Sequence, residues 1–292
     1  MSVQIIAEVG ECFNGSMECA KVMISEAARA GCDIVKFQIL DMNEVSSDDL
    51  EYEWFRKIEL SRDNIALLRR WAEDEHIDIL FTPVSVKTAS FLVEEGIHTV
   101  KVASSFIRKK EVLEYINHYF HKVYLSTGMA DLDEIRNAVS MLDKPEEVII
   151  LHCISEYPTG PLLEQRGLKA LDEKDAHLNM MRILKNEFPG YKIGYSDHTD
   201  GIFVPVTAAS MGAEVIEKHF TLDRQTPIDH YMQGKEYMGT DHVLSVEPKE
   251  LQEMVRQIRR VERCQGDMNW NRSTGEKILL DFLRGRYVER VN

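Results

Sequence analysis

Short, nearly continuous apolar runs alternate with amphipathic stretches along most of the chain. The runs span Ile5 to Gly10, Asp33 to Ile39, Ile77 to Val84, Thr99 to Ser104, Lys122 to Gly128, Val148 to Ile154, Lys192 to His198 and Val215 to Thr221. Their richness in Val, Ile and Leu is that of parallel strands covered on both faces. Between them, stretches such as Met17 to Ala30, Arg62 to Glu75, Leu132 to Leu142 and Phe203 to Met211 place apolar residues at i, i+3 and i+4, the spacing of one helical face. Eight strand-helix units predict a single-domain α/β protein, a closed (β/α)8 barrel, over 1–265, followed by a helical or interface-forming tail over 266–292. The length agrees: 292 residues slightly exceeds one barrel of about 250, leaving room for long loops only.

Composition narrows the function. With 35 basic against 49 acidic residues the net charge is −14, which argues against nucleic acid or an anionic membrane as partner. No stretch approaches the roughly 18 apolar residues of a bilayer span, and the Met1-Ser2-Val3-Gln4 start enters a strand without a signal segment, so a cytoplasmic protein is expected. The five cysteines lack C-x-x-C pairing and read as reduced thiols.

The candidate chemistry gathers at the carboxyl ends of the strands, the working face of such a barrel. Ser196-Asp197-His198-Thr199 and Glu217-Lys218-His219-Phe220 each deliver a histidine there, so His198 and His219 can meet at one metal ion. Lys36 and Lys101 lie inside apolar strands, where an unpaired ammonium is costly and an anion is needed. A period of two sends Lys36 and Gln38 to one side of their strand, and Glu217 and His219 to one side of theirs. Thr82, Ser104, Ser105, Ser126, Thr127 and Gly128 add anion donors at successive strand ends. Taken singly, such a lysine is as often a structural ion pair as a binding group, and such a histidine more often a hydrogen-bonding residue than a ligand. Their convergence favours a site.

These residues lie in blocks that resemble the sialic acid synthase family, enzymes that condense phosphoenolpyruvate with an N-acylhexosamine. The blocks are Ile6-Ala7-Glu8-Val9-Gly10 with Asn14-Gly15, Val35-Lys36-Phe37-Gln38, Thr82-Pro83, Lys101-Val102-Ala103-Ser104 and Leu125-Ser126-Thr127-Gly128-Met129. They continue with Leu151-His152-Cys153-Ile154-Ser155-Glu156-Tyr157-Pro158, Ser196-Asp197-His198-Thr199 and Glu217-Lys218-His219-Phe220-Thr221, in the family's order over about 5 to 262. The resemblance implies that Lys36, Thr82, Lys101, Ser104, Ser126 and Ser196 hold the phosphate and carboxylate of phosphoenolpyruvate, with Ser155 nearby. It implies that His198 and His219 bind a divalent ion, manganese or magnesium. Glu8, Gln38 and Glu217 match positions that line the cavity and position substrate or water, with Glu217 a candidate for handling the water's proton. Tyr157 and Asp241 match the sugar side. The implied partners are phosphoenolpyruvate and a small sugar, in a homodimer.

Departures concentrate on that sugar side. Cys12-Phe13 stands where the family carries Asn-His, which removes two polar side chains from the rim. Ser105-Phe106 replaces Gly and an acidic residue, leaving no carboxylate there. A longer stretch from Asp229 to His242 replaces a short loop and makes Asp241 the better match, with Asp229 its rival, for the family's aspartate; the insertion reads as a lid or a surface loop. Family members usually continue into a small antifreeze-protein-like domain that supplies an arginine to the partner subunit's sugar. The resemblance here covers the barrel alone, which makes Lys235 and the tail's Arg284, Arg286 and Arg290 candidates for that role, although a solvated or interface-forming helix is the simpler reading of those arginines. A metal-dependent synthase is therefore expected. A metal-dependent aldolase or lyase acting on a keto acid is the alternative within enzymology, and a non-catalytic metabolite-binding barrel the alternative outside it.

Overall fold

The computed structural model describes residues 2–49, 51–156, 172–225, 231–232, 235–236, 240–266 and 269–286. Eight parallel strands form the barrel: β1 (Gln4–Gly10), β2 (Ile34–Ile39), β3 (Asp78–Pro83), β4 (Thr99–Val102), β5 (Lys122–Ser126), β6 (Glu147–Cys153), β7 (Lys192–Asp197) and β8 (Val215–His219). β1 pairs with both β2 and β8, while β3 and β4 lie side by side where the ring closes. The expected strands are all present. Most are trimmed by a residue or two at their polar ends, where Ser104 enters a 3-10 turn and Gly128, His198 and Thr221 leave the ladder.

The helices follow the sequence pattern. α1 (Met17–Ala30) is capped by Ser16, whose side chain accepts from Cys19 N–H, and ends on the left-handed Gly31. After β2 come α2 (Tyr52–Ile58) and α3 (Arg62–Asp74), then α4 (Val86–Glu94), α5 (Lys110–Tyr119), α6 (Leu132–Met141), α7 (Met180–Glu187) and α8 (Phe203–Ser210). A two-stranded hairpin, β9 (Tyr231–Met232) with β10 (Lys235–Glu236), occupies the inserted stretch ahead of α9 (Thr240–Leu244). α10 (Pro248–Gln265) packs on α1 and α8, and α11 (Thr274–Arg284) follows. None of the helices described is long and apolar enough to cross a membrane.

Alternation along the strands sorts the wall into two apolar regions. Outward residues such as Ile5, Ala7, Val35, Phe37, Phe81, Val123 and Ile216 join the helices in the main core. Ile6, Ile34, Leu80, Tyr124, Ile149, Leu151 and Val215 form a separate cluster that fills the amino-terminal half of the barrel. Gly194 completes this layer: a Cβ there would lie 2.6 Å from both Leu151 Cδ2 and the Val215 carbonyl oxygen, closer than side chains pack. This apolar layer plugs the lower barrel beneath the opposite mouth.

Candidate active site

Two residues beyond the plug, the same strand faces turn polar. Ile6 gives way to Glu8, Ile34 to Lys36, Leu80 to Thr82, Tyr124 to Ser126, Gly194 to Ser196 and Val215 to Glu217; Lys101 joins them from β4. All seven side chains are buried. Strand register places Glu8 opposite Lys36 on one side and His219 on the other, with Ser196 opposite Glu217.

The charges at this level interlock. Lys101 Nζ donates to both oxygens of Glu217 at 2.7 and 2.9 Å, and Ser196 Oγ donates to Glu217 Oε1 at 2.8 Å. Lys36 Nζ lies 3.2 Å from Glu8 Oε2 and 3.3 Å from Glu217 Oε2, and donates to Thr82 Oγ1 at 3.4 Å. Gln38 Nε2 donates to Glu8 Oε1 at 3.4 Å. Burial opposes ionisation of Glu217, yet Lys101 and Lys36 hold its carboxyl well below the ordinary carboxylate range. Glu8 is shifted the other way, by burial first and then by the negative Glu217, against the pull of Lys36. Burial lowers Lys101, and the positive Lys36 adds to the effect. Two carboxylates in one site are thus driven apart in acidity. Ser126 Oγ, buried at the same level, has no hydrogen-bond partner among the described residues, which leaves a hydroxyl ready for a ligand oxygen.

Above this layer the two expected histidines meet, with ring centroids 5.2 Å apart. Burial, then His198 and Lys36, drive His219 far below the usual imidazole value and keep it neutral. Asp241, on α9, brings Oδ2 within 3.6 Å of His219 Nδ1. Burial, Glu11 and Glu8 raise the Asp241 carboxyl well above its usual range. The Asp241 carboxylate also lies directly over Gly10, whose φ of +51° and lack of a Cβ make that approach possible. Ser104 Oγ and Ser155 Oγ sit 2.7 Å apart, and Cys153 Sγ links them to the histidines at 3.6 Å from both Ser155 Oγ and His198 Nδ1.

The NeuB family profile matches residues 23–269. The chain belongs to the NeuB family. An uncharacterised protein of Methanocaldococcus jannaschii is 37% identical over 288 residues, covering 98% of this chain and 76% of that protein. The N,N'-diacetyllegionaminic acid synthase of Campylobacter jejuni is 33% identical over 305 residues, covering 98% of this chain and 84% of the relative. The crystal structure of the N-acetylneuraminic acid (sialic acid) synthetase of Leptospira borgpetersenii, in complex with citrate, superposes with a TM-score of 0.84 at 31% identity, covering 100% of this chain and 94% of that one. This NeuB family member is accordingly an enzyme of the sialic and nonulosonic acid synthase type.

The donor set of this NeuB chain suits a divalent cation. The imidazoles of His198 and His219 lie side by side at the mouth, and Asp241 Oδ2 approaches His219 Nδ1 at 3.6 Å, nitrogen and oxygen donor types that such an ion accepts. Among the described residues no group of three or more His, Cys, Asp or Glu side chains is arranged to hold a metal ion.

Several supporting residues of the NeuB site were not singled out from the sequence. Asp197 and Lys218 face outward and are fully buried. Lys218 Nζ donates to Asp197 Oδ2 at 2.8 Å and to the Thr199 carbonyl, while Thr199 Oγ1 and Tyr195 Oη donate to Asp197 Oδ1 at 2.8 and 2.9 Å. This network fixes the turn that carries His198. The signal was present as two opposite charges, each flanked by an inward-facing site residue. Glu11 was also passed over: it accepts from Trp54 Nε1 at 2.7 Å and from the Asp241 N–H at 3.4 Å, tying the first loop to α2 and α9.

The sequence departures acquire physical roles. Cys12 and Phe13 do not face the rim; both are buried, Cys12 Sγ 3.5 Å from Ser245 Oγ and Phe13 edge-on to Phe37 at 6.1 Å. Phe106 is half-buried against the main core, with Lys109 Nζ 5.4 Å from its ring centre and donating to Glu44 at 2.6 Å. An aromatic ring and an ion pair thus occupy the neighbourhood where a carboxylate was expected. Tyr157, Asp229 and Arg290 lie outside the described residues, and Arg284 and Arg286 are exposed at the end of α11.

Proposed function

We propose that this enzyme condenses phosphoenolpyruvate with an aldose resembling an N-acylhexosamine, giving a nonulosonic or related 3-deoxy-2-keto sugar acid and phosphate, with a divalent metal ion. The observation that carries the reading is the stack of two buried lysines and three hydroxyls directly beneath a pair of histidines in one barrel mouth. Lys36 and Lys101, with Thr82, Ser126 and Ser196, bind the phosphate and carboxylate; Ser104 and Ser155 extend this donor set. Tyr157 and Asp241 are assigned to the sugar side. His198 and His219, with Asp241 beside them, hold the metal, which supplies Lewis-acid polarisation of the sugar aldehyde when bound.

The charge balance supports this division. Two lysines and two glutamates cancel one another, so an incoming polyanion needs added positive charge. A divalent ion at the histidines supplies part of it, and a proton on the weakly acidic Glu8 supplies more. In the reaction, carbon 3 of phosphoenolpyruvate forms the new bond to the aldehyde carbon. Water then adds at carbon 2, and the carbon–oxygen bond to phosphate breaks. The fixed cations of Lys36 and Lys101 face the oxygens on which negative charge persists, a preorganised arrangement that needs no solvent reordering. Glu217, held ionised between the lysines, orients them and is too acidic for the proton-handling role expected of it; that role passes to the weakly acidic Glu8, with Gln38, which donates to Glu8, positioning the water.

The test is phosphate release from phosphoenolpyruvate with manganese across N-acetylated, unacylated and phosphorylated aldoses, each product weighed by mass spectrometry. A product of mass equal to sugar plus pyruvate identifies the acceptor. Pyruvate released in place of phosphate, or no turnover with any sugar, would overturn the condensation.

A further inference from the structure

Three consecutive residues of the turn after β1 touch α9. Gly10 lies under the Asp241 carboxylate, Glu11 Oε1 accepts from the Asp241 N–H at 3.4 Å, and Cys12 Sγ is 3.5 Å from Ser245 Oγ, just past the helix. The middle residue also reaches a third element, because Glu11 Oε2 accepts from Trp54 Nε1 on α2 at 2.7 Å. α9 has only five residues, far below the roughly 12–15 at which an isolated helix becomes even marginal in water. Its place is therefore set by what it packs against, and this turn is part of that seat.

α2 gives Glu11 a firm support. Trp54 and Ile58 are buried, and Lys57, with Nζ 5.3 Å from the Trp54 ring centre, donates to Asn14 Oδ1 at 2.9 Å. Gly15, at a φ of +69°, lets the Lys57 carbonyl approach where a Cβ would collide with it. The turn and α2 are thus locked together on both sides of Phe13. A 2.7 Å bond from an indole N–H to a carboxyl oxygen is short and directional, and it orients Glu11 so that its other oxygen meets the Asp241 N–H.

Position matters most at Asp241. Its Oδ2 lies 3.6 Å from His219 Nδ1, and its carboxylate overhangs the Cβ-less Gly10, so a small shift of α9 would disturb both approaches. We propose that Glu11 is a positioning residue that sets Asp241 against His219, steadied by Trp54 and acting through the Asp241 N–H. The bond goes to the backbone and leaves the Asp241 carboxylate facing the histidine. Cys12 and Phe13 sink into the core, so this turn serves the mouth indirectly, through Glu11 and the placement of α9. The inference rests on the reading above, in which Asp241 stands beside the metal and on the sugar side.

Glu11→Ala, Glu11→Gln and Trp54→Phe in the full chain test this. Hydrogen exchange of the metal-free protein gives a readout independent of the reaction: the amides of α9 should exchange faster in Glu11→Ala and Trp54→Phe, and those of α10 at the wild-type rate. Glu11→Ala should also weaken manganese binding by about 10–100-fold in calorimetric titration, the usual cost of losing a group that orients a ligand. In steady-state kinetics it should raise the KM for the aldose and leave that for phosphoenolpyruvate unchanged, because the lysine level that binds the latter lies outside these contacts. Glutamine offers one acceptor oxygen to two donors, so Glu11→Gln should fall between the wild type and Glu11→Ala in every measure. Should Glu11→Ala fail to fold, Glu11→Gln and Trp54→Phe carry the same comparison at smaller amplitude. Unchanged exchange in α9, unchanged manganese affinity, a glutamine variant as impaired as alanine, or a phosphoenolpyruvate KM that rises in step with that of the aldose would each overturn the proposal. Failure of the condensation reading would look different: the wild type would turn over no sugar, while exchange and calorimetry would still decide the role of Glu11.

Discussion

Two adjacent levels of one barrel interior, a single strand repeat apart, have opposite physical characters. The lower level, from Ile6 and Ile34 to Leu151 and Val215, is apolar and tight enough to demand Gly194. The upper level carries Glu8, Lys36, Lys101 and Glu217 in equal burial. Apolar side chains gain from leaving water, whereas each buried charge loses several kcal/mol of solvation that partners must offset. The lower level is therefore a source of stability and the upper level a cost that the fold carries. Interlocking the four charges limits that cost, and the same lysines remain aimed at the mouth, where an anion can take over part of the pairing.

Substitution at the upper level should produce the largest effect. Lys101→Ala removes the two shortest ion-pair contacts to Glu217 and leaves that carboxylate leaning on Lys36. Phosphoenolpyruvate-dependent turnover should fall by at least about 10³-fold, equivalent to roughly 4 kcal/mol of transition-state stabilisation. The broken buried pair should also cost about 3–5 kcal/mol of stability. Steady-state kinetics beside a urea titration separates the two effects, and wild-type turnover in the variant would remove Lys101 from the site. His219→Ala comes next. Calorimetric titration with manganese should show binding lost or weakened by at least about 10²-fold, with the fold intact by circular dichroism. Unchanged manganese affinity would refute the ligand assignment.

A lower-level substitution should invert the pattern. Ile149→Ala opens a cavity in the plug and should cost about 2–5 kcal/mol, read as an earlier urea midpoint, while kcat and both KM values stay near those of the wild type. A loss of activity comparable to that of Lys101→Ala would mean that the plug shapes the site directly, and the division between the levels would fail.

The sequence carried this division further than it carried the sugar side. Strand alternation alone placed Lys36 with Gln38 and Glu217 with His219, because a period of two is a local property of the backbone. The meeting of Lys36 with Glu8 depends on the register between β1 and β2, and that of Lys101 with Glu217, 116 positions apart, on closure of the ring; no local pattern encodes either. The outward Asp197–Lys218 pair went unread for a related reason: inside a motif rich in site residues, two charges facing the helices look like two more facing the mouth. Cys12 and Phe13 were placed at the rim by their position in a motif, whereas their side chains sink into the core against Ser245 and Phe37. Position in a motif gives the neighbourhood of a residue; the direction of its side chain comes from packing.

The smallest effect probes the wall itself. His152 lies on β6 between the inward-facing Leu151 of the plug and Cys153 of the mouth, is buried on the outer face, and has Nε2 2.9 Å from the Ala176 carbonyl oxygen, to which its neutral ring donates. Burial lowers its pKa below the usual 6.5, and the nearby His177 adds to the effect. The unfolded chain then takes up a proton before the folded one does. Stability should be level above about pH 7.5 and fall as the pH drops through 6.5, by up to about 1.4 kcal/mol per pH unit, until the folded ring also protonates. His152→Gln retains a donor without a titrating ring and should flatten that slope while leaving stability at pH 8 within about 1 kcal/mol. Some slope should persist, because two other buried histidines act in the same direction: His242, pushed down to about 4, and His219, driven well below the usual imidazole value. Urea unfolding at half-unit steps from pH 5 to 8 decides the matter. An unchanged slope in the variant would show that the outer face of the wall is not where acid sensitivity resides, and would move that sensitivity to the charged level of the mouth.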